Sequence, residues 1–221
     1  MGRKKQEIVK MIKDMSGRYS PYDIFTDWVA MCALSTVNSI TLIHNKVWQA
    51  REQQYMDIIR KYTKDEQMKF VYMYNLLAEA FEEEMSDILG EIYMESGCGN
   101  KNTGQFFTPF HLSVACAQVG MPHDISEDNP LILNEPSTGG GGMIIAAAKV
   151  LKDRGLNYQR CMDVVAQDLD WKGVYMTYVQ LSLLGIKATV VQGNTLTEPY
   201  SGAGYPQDRI FYTPIKMGIM L

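Results

Sequence analysis

Residues 131–150 read LILNEPSTGGGGMIIAAAKV, with four consecutive glycines, Gly139 to Gly142, between two apolar runs. Glycine loses more chain freedom on folding than any other residue, so four in succession call for something that needs their missing side chains. LILN reads as a short buried strand. The residues after the glycines read as a helix that runs to about Arg154 and stops at Gly155. A glycine-rich turn from strand into helix sets main-chain N–H groups beside a helix N-terminus and lets a ligand lie against the backbone. A tight turn with no ligand would use the same residues.

The grammar repeats downstream. CMDVVAQD (161–168) reads as a second strand, DWKGVYMTYVQLSLLG (170–185) as a second helix, ATVVQ (188–192) as a third strand and DRIFYT (208–213) as a fourth. Strands alternating with helices at this spacing predict an α/β fold with a parallel, doubly wound sheet, whose ligands gather at the carboxyl ends of the strands. Asp168 ends the second strand, where a carboxylate can accept from both hydroxyls of a ribose. It could instead cap the next helix, a role open also to Asp170. Asn194, just past the third strand, carries an amide able to donate to and accept from an adenine edge. Upstream, in GQFFTPFHLSVACAQ (104–118), Thr108-Pro109 starts a helix beside Phe106 and Phe107, whose plain reading is packing between two regions.

The first hundred residues read as helical. SPYD (20–23) offers an N-cap, a proline at the first helical position and an acid in the first turn, and TKDE (63–66) repeats the capping-box signal. After it Phe70, Met73, Leu77, Phe81, Met85, Ile88 and Ile92 follow at three- and four-residue steps, one apolar stripe along one longer helix. ESGCGNKNTG (95–104) reads as an exposed loop, giving a helical region over 1–100 and an α/β domain over 101–221.

A hydrophobic share of 46% with 21% charged residues is that of an ordinary globular protein, and a net charge of -4 argues against a tight, unaided grip on nucleic acid. Positive charge gathers in GRKK and REQQYMDIIRKYTK, whereas AEAFEEEMSDILGE is acidic. No apolar run reaches membrane-spanning length and the N-terminus lacks a signal-peptide core, so a cytoplasmic protein without membrane attachment is expected. Cys32, Cys98, Cys116 and Cys161 are scattered, as are His44, His111 and His123, so neither disulfides nor a metal site is expected.

In their order, GQFFTP, EPSTGGGGM, AQDLD and QGNTL make residues 104–221 resemble the N6-adenine DNA methyltransferases, and among them the modification subunits of type I restriction-modification systems. That resemblance implies a Rossmann-like domain of the S-adenosylmethionine methyltransferase type, truncated after its fourth strand. It implies S-adenosylmethionine as cofactor, with the glycines making room for it. Phe107 and Thr108 would meet its methionine end, and Glu135, Ser137 and Gly139 would meet its amino group and line the loop. Gly141 would allow close approach, Asp168 would hold the ribose and Asn194 would face adenine. Glu135 and Asn194 each stand where the family carries aspartate.

The family's catalytic (N/D)PP(Y/F) follows its fourth strand, where polar groups hold the target amine and an aromatic ring stacks on the flipped-out base. Here Thr213-Pro214-Ile215-Lys216 takes its place, with Tyr212 as the available aromatic. In the family's strand order, 3-2-1-4, the RIFYTP strand would stand at an open edge, to be covered by the N-terminal helices, a second copy or a partner subunit. The resemblance thus implies adenine-N6 methylation of DNA with a partner, such as a specificity subunit, supplying sequence recognition. The alternative is a catalytically degenerate subunit that binds S-adenosylmethionine or serves assembly. A nicotinamide-dependent oxidoreductase is the third reading, although Ile144 stands where GxGxxG requires its last glycine.

Overall fold

The computed structural model describes residues 2–98 and 107–219. The chain forms two compact units: Met1–Glu84 with Ile88–Phe106, and Met85–Asp87 with Phe107–Leu221.

The first unit is helical: α1 (Arg3–Met15), α2 (Pro21–Ile40), α3 (Lys46–Ile59), α4 (Lys64–Glu83) and α5 (Ile88–Glu95). Its starts are written locally. Ser20 caps α2 and Thr63 caps α4, each in a reciprocal capping box, with Asp23 and Glu66 respectively. Ile8, Ile12, Phe25, Trp28, Met73, Leu77, Ile88 and Ile92 are buried together in its core. Phe25 meets Trp28 and Tyr93 edge-on. The apolar stripe does not lie on one helix. Glu82, Glu83 and Glu84 place three negative charges at the end of α4, where the helix dipole opposes them. Glu84 turns extended, and Ile88 and Ile92 belong to α5. The lysines of the basic N-terminus are engaged by this acidic run: Lys4 pairs with Glu79 and Glu83, and Lys5 with Glu84 at 2.9 Å and Glu91 at 2.6 Å.

The second unit contains α6 (Phe110–Gly120), β1 (Leu131–Glu135), α7 (Gly142–Asp153), α8 (Tyr158–Cys161), β2 (Met162–Asp168), α9 (Trp171–Leu183), β3 (Ala188–Gln192) and β4 (Ile210–Tyr212), with short 3-10 turns at Gln207–Arg209 and Pro214–Met217. The sheet runs in the order β1-β2-β3-β4, with β1, β2 and β3 parallel. The core of this unit is formed by Ile144, Ile145 and Ala148 of α7, Val164 and Ala166 of β2, Val190 of β3 and Val174, Tyr178 and Leu181 of α9.

Two expectations change here. β4 runs antiparallel beside β3, pairing Ile210 with Val191 and Tyr212 with Thr189, and so does not continue the parallel sheet beyond β1. A parallel return needs a crossover, usually a helix, whereas residues 193–209 contain turns and one 3-10 turn and bring the chain straight back. The RIFY strand is indeed an edge, but on the β3 side. LILN is not a buried strand either: among the described residues β1 pairs only with β2, its burial alternates, and Ile132 is 75% exposed. No helix among the described residues is long and apolar enough to cross a membrane.

Candidate functional site

The carboxyl ends of β1, β2 and β3 lie side by side, and hydrogen bonds tie the loops that leave them. Thr138 N–H donates to Gln167 O at 3.0 Å, Gly193 N–H to Asp168 O at 2.8 Å and Thr195 Oγ1 to Pro136 O at 2.6 Å. Gly139 N–H donates to Oδ2 of Asp168 at 2.7 Å and Asp170 N–H to its Oδ1 at 2.9 Å. These two donors fix the carboxylate while leaving each oxygen a second lone pair. Asp170, not Asp168, caps α9 by accepting from Lys172 N–H at 3.0 Å. Asp168 is therefore released for another task.

The glycine turn is shaped by the protein's own side chains. Gly139 and Gly141 have φ of +54° and +90°, in the left-handed region where a Cβ is strained. A Cβ on Gly139 would lie 3.2 Å from the Phe107 ring, and one on Gly141 3.2 Å from Thr177 Oγ1. At Gly140 and Gly142 it would meet the Asp87 carboxylate at 3.1 and 3.0 Å. The glycines thus clear space for Asp87, Thr177 and Phe107. What the turn presents is main chain, including the first N–H groups of α7, which have no intrahelical acceptor.

Asp87, Thr177 and Gln180 are the residues that sequence reading missed. Thr177 Oγ1 donates to Gly139 O at 3.0 Å, and Gln180 Nε2 donates to Gly140 O at 2.6 Å and to Asp87 Oδ1 at 2.7 Å. Thr177 and Gln180 were detectable as two polar residues three apart, on one face of a mostly apolar helix. Asp87 carried no such signal, since its partners lie far along the chain.

With this geometry established, one comparison decides the family. A model of the N-6 DNA methylase family matches residues 84–214, more than half of the chain. The chain belongs to that family. Two solved structures are also similar to this N-6 DNA methylase family member. One is assigned to the class I S-adenosylmethionine-dependent methyltransferases, from Listeria monocytogenes, with 11% identity and a TM-score of 0.46 over 89% of this chain and 55% of that one. The other is a type I restriction-modification system methyltransferase subunit from Streptococcus thermophilus, with 10% identity and a TM-score of 0.48 over 92% of this chain and 60% of that one. The chain thus spans little more than half the length of either.

In this family member the structure gathers Phe107, Glu135, Ser137, Gly139, Gly141, Asp168 and Asn194 at one end of the sheet, on the turn and the strand ends. Glu135 Oε1 accepts from Ser137 N–H at 3.3 Å, and Asn194 Oδ1 accepts from Leu196 N–H at 3.0 Å. Thr108 is exposed, just before α6. Gly104, Gln105 and Phe106 lie outside the described residues. Beside Asp168, Leu169 is 64% exposed, an apolar side chain just past the carboxyl end of β2. Gln167 is buried and holds the loop after β3: its Nε2 donates to Glu198 O at 2.8 Å and its Oε1 accepts from Tyr200 N–H at 3.0 Å. Burial, and then the neighbouring Tyr212 hydroxyl, push the Tyr200 hydroxyl up to about 12, so it stays protonated at neutral pH.

Thr213 and Pro214 are not brought to this end, whereas the Tyr212 side chain packs beside Tyr200 of the loop after β3. Because β4 is antiparallel, its last residues lie against the start of β3. Thr213 Oγ1, fully buried, accepts from Ala188 N–H at 3.0 Å and donates to Ile186 O at 2.8 Å. Its hydrogen-bonding capacity is used in closing the sheet. The expectation that Thr213-Pro214 stands at the carboxyl ends of the strands in place of the family's catalytic motif is corrected by the direction of β4.

Proposed function

We propose that the cleft at the carboxyl ends of β1, β2 and β3 binds S-adenosylmethionine, and that the chain serves adenine-N6 methylation of DNA. The observation that carries this reading is the fixed carboxylate of Asp168 against the glycine turn. Its spare lone pairs suit the two hydroxyls of a ribose, and exposed Leu169 beside it offers an apolar surface to a base. The donor set fits the cofactor's charge as well. Asp168 and buried Asp87 surround the N-terminus of α7, and acids there favour a cationic ligand and repel a pyrophosphate. The Gly139 N–H that a phosphate would seek is already given to Asp168. This weakens the nicotinamide-dinucleotide reading.

Bound S-adenosylmethionine supplies a methyl group on a positively charged sulfur. The chain's own part is positioning: Asp168 holds the sugar, the turn and Phe107 set the neighbouring surface, and Asn194 faces the base. The target would be an adenine flipped out of DNA. Recognition of sequence would come from a partner such as a specificity subunit or a second copy, since a net charge of -4 gives weak unaided DNA binding. The reading also assigns the chain to the cytoplasm.

A second reading is favoured by one observation. Thr213 is locked at the opposite end of the sheet, so the side chains that grip the target amine are not supplied by this strand. The chain would then be a catalytically degenerate cofactor-binding or assembly subunit. Calorimetric titration with S-adenosylmethionine, S-adenosylhomocysteine and NAD tests the shared part, and binding of NAD alone would sink both readings. Transfer of a labelled methyl group to unmethylated DNA, with and without candidate partner subunits, then separates them.

A further inference from the structure

We propose that Thr177, Gln180 and Asp87 form a buried brace that fixes the orientation of the peptide units after Gly139 and Gly140, and so act as positioning residues for the ligand. The proposal rests on the cofactor reading for its ligand, although not for its geometry. A glycine peptide can rotate between two faces at little steric cost, because no side chain opposes it. Here both carbonyls are held from below: that of Gly139 by Thr177 Oγ1 at 3.0 Å and that of Gly140 by Gln180 Nε2 at 2.6 Å. In a trans peptide the next N–H points opposite to the carbonyl. Holding Gly139 O against α9 therefore turns the Gly140 N–H away from Thr177. The following N–H, of Gly141, closes on Thr138 O at 2.8 Å and completes the turn.

Asp87 decides which way round the Gln180 amide sits. Its Oδ1 lies 2.7 Å from Nε2, so the NH2 end faces two acceptors, the carboxylate and Gly140 O. A flipped amide would set its oxygen against both. All three side chains are buried, where an unpaired polar atom is costly, so the alternative turn carries a penalty at each. The short segment Met85–Asp87, which belongs to the second unit although its chain neighbours belong to the first, is thereby given a role: it delivers the carboxylate that locks the brace.

The test uses the whole chain without ligand and then with S-adenosylmethionine. Thr177→Val and Gln180→Met keep size but remove the donors, and Thr177→Ser keeps the hydroxyl. Amide hydrogen exchange of the segment 139–143 should quicken about tenfold in the first two variants, with β2 and β3 unchanged, and the dissociation constant should rise by about the same factor. Thr177→Ser should restore both. Wild-type exchange and wild-type affinity in Thr177→Val would overturn the brace. So would a uniform rise in exchange across the whole sheet with affinity intact, the mark of a structural role only. If Gln180→Met does not fold, Thr177→Val decides. If the unaltered protein binds no S-adenosylmethionine, the cofactor reading fails and the exchange data judge the brace alone.

Discussion

The main-chain N–H of Gly139 donates to the carboxylate of Asp168 at 2.7 Å, across 29 residues of chain. This bond joins the turn after β1 to the end of β2, so the residue expected to hold a sugar also shapes the loop beside it. Ligand binding and loop order are therefore coupled through one carboxylate.

Asp168→Ala should weaken S-adenosylmethionine binding by the worth of one or two charge-assisted hydrogen bonds, about 1.5–3 kcal/mol each. Calorimetry on the folded variant reads this directly. An unchanged dissociation constant would remove Asp168 from the site.

Gly141→Ala should destabilise the second unit by about 2–3 kcal/mol. The left-handed φ of +90° contributes about 1–2 kcal/mol of strain, and the new Cβ, 3.2 Å from Thr177 Oγ1, adds crowding. The midpoint of urea unfolding should fall accordingly. A neutral substitution would mean that the turn is not held against α9.

Thr213→Val should cost stability without touching affinity. It leaves the buried Ala188 N–H without its hydroxyl acceptor, a loss of about 1–3 kcal/mol. Cofactor titration should match the unaltered protein. A parallel loss of affinity would return Thr213 to the binding end.

Lys5→Met should destabilise the helical unit by about 1–2 kcal/mol at neutral pH. A deeply buried pair would lose more, but the side chains of Glu84 and Glu91 are 55% and 34% exposed and partly screened. Burial lowers the Lys5 pKa, yet Glu91 and Glu84 together outweigh it and raise the group above 10.5. A raised lysine contributes fully below pH 10.5 and loses that contribution as pH rises through its folded value. The stability gap between variant and parent should thus be constant from neutral pH upward and narrow only beyond that point. Urea titrations at several pH values would show it, and a gap that widened with alkali would refute the pairing.

What the sequence determined by itself is whatever depends on a few neighbouring residues. Ser20 with Asp23 and Thr63 with Glu66 start their helices through bonds three residues long, and ATVVQ reads as a strand with the bounds it has because it is a short run rich in β-branched residues. The placement of Asp168 at a strand end was legible for the same reason. Tertiary structure alone decided where the apolar stripe breaks, which direction β4 takes, and what the four glycines make room for. Each of these rests on partners far apart in sequence: Thr177 with Gly139 across 38 residues, Gln180 with Asp87 across 93. No local pattern can report such a pair, since its free energy appears only when the chain closes the loop between them.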